Sequence, residues 1–176
     1  MSAISITPNG SYTASICKKK RSQPMIKAED LRIGDLVRVS CDCMFPKGTM
    51  CVITQINPEH GHKDKKGVVT LSYIDGTDDG PWGTWCCNIE GVPITPEILK
   101  QNDFDDKDLG VIFTKAIDCT TRISPRRISI IRYPSEWRVF LEYESWHDSV
   151  LMRLVQYVHE LQHILWVLGM DTNLKI

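Results

Sequence analysis

Near the end of the chain two histidines and a glutamate have the types and spacing for chemistry. His159-Glu160-Leu161-Gln162-His163 fits the zinc-hydrolase pattern HExxH. Helix positions four apart share a face, so two imidazoles could hold one ion while the glutamate draws a proton from its bound water. His159 and His163 would then be ligands and Glu160 the general base. A catalytic zinc needs a third protein ligand. The extended metzincin pattern would place Gly and His where this chain has Trp166 and Gly169, and the upstream donors Glu142, Glu144, His147 and Asp148 have no recognised spacing.

The surrounding apolar residues offer a simpler reason for a helix. Leu154, Val158, Leu161, Leu165 and Leu168 recur at spacings of four and three, forming one buried stripe. At roughly 100° per residue, both histidines point away from that stripe, beside Gln156 and Glu160. Burying such aliphatic side chains stabilises by roughly 1.5 to 3 kcal/mol each, before entropy is subtracted. The segment is therefore read as an architectural helix without a cofactor, with a zinc-dependent hydrolase as the alternative.

Two further groups could bind rather than catalyse. Tyr73, Trp82 and Trp85 could stack a base or cage a cation, or fill a small core. Arg126, Arg127 and Arg132, with Arg122 and Arg138 nearby, could line a phosphate-binding face, while Glu136, Glu142 and Glu144 could neutralise them in ion pairs. His60-Gly61-His62 beside Lys63 is read as a solvated hairpin tip. Of seven cysteines, Cys41, Cys43, Cys86 and Cys87 could suggest a four-thiolate site, but the spacing is not C-x2-C and adjacent strand residues face opposite ways. An odd cysteine count without a secretory apolar core predicts reduced thiols and a cytoplasmic protein.

At 176 residues, with 42% hydrophobic and 24% charged residues, the chain can bury a core. A net charge of -1 gives no global attraction to nucleic acid or anionic membrane, so partners must be found by local patches. No stretch is apolar enough to span a membrane.

The elements that must position these residues follow from pattern. Residues 1–25 are Ser/Thr-rich, carry a basic run at 18–21, and are read as a flexible tail. Residues 26–94 contain short apolar segments at Leu36–Val39, Met50–Ile56, Gly67–Ile74 and Trp82–Val92, separated by polar turns that include Pro58–Lys66 and Asp75–Pro81. They predict a small antiparallel β-barrel-like domain. Residues 95–176 open with Thr95-Pro96-Glu97, an N-cap, a first-turn proline and a first-turn acid, which predict a short helix to about Asn102. An acidic loop at Asp103–Asp108 comes next, then strands around Val111–Ile117, Arg126–Tyr133 and Glu136–Glu144, where Trp137, Val139, Leu141 and Tyr143 alternate with mainly polar neighbours. Val150–Val155 fits a strand or a backward extension of the last helix equally well. The fold class is α+β: a β-barrel-like first part, then a β-meander packed by a C-terminal helix.

Three segments carry a resemblance. KAEDLRIGDLV (27–37), GVPITPEILKQNDF (91–104) and QYVHELQHILWVLGMDTNLKI (156–176) resemble, in order and rough spacing, landmarks of a family of small uncharacterised phage, prophage and mobile-element proteins of gut Bacteroidetes. In that family the last landmark commonly reads His-Gln-Leu-Gln-Asn, so the resemblance implies that Glu160 and His163 vary on a helix without metal. It also implies that Tyr157, Val158, His159, Leu161 and Gln162 pack the helix, with His159 and Gln162 hydrogen bonding. No activity transfers with it. The expected function is a non-enzymatic accessory protein that binds protein or nucleic acid, with no membrane partner.

Overall fold

A computed structural model describes residues 26–42, 45–62, 65–76, 82–118, 125–143 and 149–176. The chain divides into two compact units, Met1–Gly91 and Val92–Ile176. The expected tail 1–25, part of the turn before Trp82, and Cys17, Cys43, Lys63, Cys119, Arg122, Glu144, His147 and Asp148 lie outside the described residues. The division falls three residues before the boundary expected at 94/95, because Val92 to Ile94 bind the second unit's backbone. Val92 O accepts from Val158 N at 2.8 Å, Ile94 N donates to Gln156 O at 3.1 Å, and Pro93 bridges Tyr157.

The first unit is one antiparallel sheet of β1 (Leu36–Val39), β2 (Met50–His62), β3 (Lys65–Tyr73), β4 (Trp82–Trp85) and β5 (Ile89–Gly91), in the order β4-β3-β2-β1-β5. The expected Pro58–Lys66 loop is instead the far end of the β2–β3 hairpin, reached through register breaks after Ile53 and after Asn57. Polar residues pair their backbones as well as apolar ones do; side-chain pattern reports burial, not pairing. Residues 82–92 form two strands rather than one, split by a 3-10 turn at Cys86–Asn88 that carries the chain from one edge of the sheet to the other. Those edges would stand about 19 Å apart across a flat sheet at roughly 4.8 Å per strand. The steps from Trp85 to Ile89 span at most about 14 Å. The sheet must therefore curl, but no β4–β5 pairing closes it among the described residues, which corrects the expectation of a barrel.

Inside the curl, Val37, Val39, Cys51, Ile53, Val69 and Leu71 are almost completely buried, with Phe45, Cys86 and Ile89. Cys41, Cys51 and Cys86 are buried and Cys87 is half-buried. Burial, and then the neighbouring Cys87, pushes the Cys86 thiol up to about 11. It is a packing residue rather than a thiolate donor.

The second unit opens with α1 (Pro96–Gln101), capped as expected by Thr95, whose hydroxyl accepts from Ile98 N. A five-stranded antiparallel meander runs β10-β9-β8-β7-β6: β6 (Asp105–Asp106), β7 (Ile112–Ala116), β8 (Arg127–Arg132), β9 (Trp137–Glu142) and β10 (Ser149–Val155). Part of the expected acidic loop is thus strand β6. The alternation in β9 is observed, with Trp137, Val139 and Leu141 buried. Residues 150–155 are strand, paired along β9, and so do not extend the helix. The last element is α2 (Val158–Val167).

Between α1 and β6 the chain is tied by Lys100 Nζ on Asp106 Oδ2 at 2.9 Å and Gly110 N on Asp106 Oδ1 at 2.8 Å. The Lys100 hydrogen bond first, and then the Gly110 amide, hold the Asp106 carboxyl below the usual carboxylate range. A depressed pKa stabilises the fold above the unfolded pKa, and the contribution is lost as pH falls through the folded value. We expect the melting temperature to fall on acidification below the ordinary aspartate range, and D106N to remove part of that slope. Identical melting profiles for D106N and the parent between neutral and acid pH would contradict this.

Candidate functional site

Helix α2 follows Gln156 and Tyr157, whose backbones are the ones paired to the Val92–Ile94 segment. Its buried residues are Val158, His159, Leu161, Gln162, Ile164 and Leu165. Val158, Leu161 and Leu165 of the expected stripe are in the core, while Leu154 is an exposed residue of β10. His159 is only 3% exposed, although helix geometry turns it away from the apolar stripe. The expected stripe counted only aliphatic residues, whereas this first turn is covered over a wider arc. The His159 ring stacks on Tyr157 at 5.7 Å and meets His163 edge-on at 6.0 Å.

Glu160 Oε2, the base of the zinc-hydrolase alternative, accepts from Gln156 N at 2.7 Å and from Tyr157 N at 3.0 Å and so caps the helix. Among the described residues, no three His, Cys, Asp or Glu side chains converge on a position that could hold a metal ion. Of the upstream donors only Glu142 is described, and it is engaged elsewhere: Ser129 Oγ donates to its Oε1 and Arg127 approaches its Oε2 at 3.6 Å.

Two of the resembling segments meet around Asn102. Its Nδ2 donates to Ile98 O at 2.7 Å and to Lys175 O at 2.8 Å, while its Oδ1 accepts from Lys175 N at 2.8 Å. Gln162 Nε2 donates to Thr172 O at 2.9 Å. Gln162 does hydrogen bond, then, and what it binds is the C-terminal strap.

The three aromatic residues do not form one cage. Trp82 and Trp85 are three apart on a strand and so lie on opposite faces. Trp82 pairs with buried Leu71 and is 36% exposed. Tyr73 meets Phe45 edge-on at 4.8 Å, on the core side. Trp85 pairs with Val68 and lies 5.6 Å from the His60 ring.

Nor do the arginines form one face. Arg127 and Arg132 stand at the two ends of β8, roughly 16 Å apart along the strand at about 3.3 Å per residue, and on opposite faces. Arg127 approaches Glu142, and Arg132 lies over the Trp137 ring at 5.7 Å. Arg138 bonds Glu136 at 2.9 Å and covers the Tyr133 ring. Arg126 joins the sheet through its backbone, bonding Ile117 and Glu142.

Sequence reasoning missed strand β10 as a surface. Val150, Leu151, Met152 and Leu154 are each 41% to 51% exposed on a strand that ends its sheet. Ten of the thirteen exposed large hydrophobic side chains among the described residues belong to Val92–Ile176. The signal was present, since VLMRLV is too apolar for a solvated edge, but the ambiguity between strand and helix hid it. Among the described residues no helix is long and apolar enough to cross a membrane. No protein family, curated protein sequence or solved structure matches the chain.

Proposed function

We propose that the chain is a non-enzymatic, cytoplasmic accessory protein of a phage or mobile element of gut Bacteroidetes, which acts by binding another protein along strand β10. The three resembling segments support the origin, and the odd count of seven cysteines supports the compartment. Strand β10 carries the binding reading. An edge strand offers unpaired N–H and C=O groups to an added strand, and native proteins blunt such edges with charge, bulges or cover. Here Arg153 and a register break after Leu151 are the defences, and four aliphatic side chains remain in solvent beside them.

The test is reconstitution with a partner captured from the host and purified. L151E/L154E changes two exposed side chains, so its melting temperature should match the parent's. Its affinity for the partner should fall at least about thirty-fold, the loss of one hot spot of about 2 kcal/mol. Unchanged affinity would sink the proposal. Titration of DNA and RNA at about 50 and 200 mM salt covers the other class of partner. Salt-dependent binding that survives L151E/L154E would reassign the protein to nucleic acid.

A further inference from the structure

In the first unit, β2 and β3 lose register between the pairs Asn57–Val68 and Gly61–Lys66, so Pro58, Glu59 and His60 stand against the single residue Gly67. The break leaves an open concavity of about 470 Å³ whose lining includes Gln55, Asn57, Glu59, Val68 and Thr70. Directly opposed residues on neighbouring strands share a face. Because Gln55 opposes Thr70, Asn57 opposes Val68 and Val68 opposes Trp85, the indole stands on the face that holds the concavity. The His60 ring lies 5.6 Å from Trp85 at 33°, and Asn57 Oδ1 fixes the bend by accepting from His60 N at 3.1 Å.

Charge selects the ligand. Among the described residues, Glu59 is the only charged one in the lining. It is exposed, and among the described residues no ion pair engages it. Neither Lys66 nor Trp85 belongs to the lining itself, but Lys66 is parted from Val68 by the break at Gly67, whereas Trp85 pairs directly with Val68. A phosphate would meet this carboxylate unfavourably, whereas a cation held by the carboxylate would lie on the sheet face that carries the Trp85 indole, the aromatic ring that best attracts one. We propose that the concavity binds a cationic side chain, guanidinium or quaternary ammonium, presented by a partner polypeptide. Trp85 supplies the aromatic wall, Glu59 the counter-charge and the Gln55 amide a hydrogen-bond acceptor. This site is on the first unit and does not depend on β10.

The full-length ¹⁵N-labelled protein, titrated with Nα-acetyl-L-arginine amide and followed by two-dimensional NMR, tests the proposal. Saturable shifts are expected at the Trp85 indole N–H, identified with W85F, and at the Gln55 and Glu59 amides. E59Q, at an exposed position, should keep the dispersed spectrum and weaken binding about ten-fold. Nε-trimethyl-lysine amide in a parallel titration separates ammonium from guanidinium, and saturation by either supports the site. The proposal is overturned if neither cation saturates by about 50 mM, the weak limit for an exposed cation–π pair. It is equally overturned if uncharged Nα-acetyl-citrulline amide shifts the same residues as strongly, or if uridine monophosphate binds there and binds more tightly to E59Q.

Discussion

G67A is expected to destabilise the first unit by about 3 kcal/mol, a large share of the stability of a small domain. Gly67 has a φ of 77°, where an L-residue with a Cβ costs roughly 1 to 2 kcal/mol. Its added Cβ would fall 2.5 Å from Ala28 Cβ, a separation real Cβ atoms essentially never show, and a tight 3.0 Å from Cys86 Sγ. Overpacking of this kind costs roughly 1 to 3 kcal/mol more. Ala28 and Cys86 belong to two 3-10 turns in the core cluster, so relief requires backbone movement. Urea unfolding measures the change, with G34A as control: Gly34 has a φ of 94° but nothing within 4 Å of its would-be Cβ, so G34A should show the strain alone. Equal losses in the two variants would show that the clash is absent. A28G in the G67A background should recover part of the difference.

N102A is expected to cost about 2 to 3 kcal/mol and to release the C-terminal strap. Asn102 is 7% exposed and its side chain makes the three hydrogen bonds described above, one to α1 and two to Lys175. Each is worth roughly 0.5 to 1.5 kcal/mol net, and the strap carries buried Leu174 with it. N102D keeps the size but replaces the donating amide with a carboxylate facing the carbonyls of Ile98 and Lys175, so it should be at least as damaging as alanine. Hydrogen exchange locates the effect: the Lys175 amide should lose its protection in both variants. A Lys175 amide as protected in N102A as in the parent would rule out this account.

The segments 92–104 and 156–176 are joined within the second unit. These segments meet twice, at the Val92–Ile94 pairing with Gln156–Val158 and at Asn102 with Lys175. Both contacts serve assembly of the second unit, and the capping role of Glu160 belongs to the same assembly.

Features set by neighbours within a few residues could be read from the chain directly. Thr95 and Pro96 start α1 because a hydroxyl acceptor and a missing N–H suit the first turn of any helix. Trp137, Val139 and Leu141 alternate because a strand with one buried side must do so. Val158, Leu161 and Leu165 mark a helix flank by their spacing alone. What each element packs against, and which groups share a face, was decided only in three dimensions. The 3-10 turn at Cys86–Asn88 sends β5 to the opposite edge from β4, a choice made by pairing with β1 some fifty residues earlier. The same non-local pairing placed residues 149–155 at an edge, parted the arginines and the tryptophans, and set Trp85 beside His60. Local propensity depends on spacing along the backbone, whereas a binding surface depends on register between distant strands. One residue of register or one bulge moves a side chain to the other face, and nothing in the spacing of apolar residues records where such breaks occur.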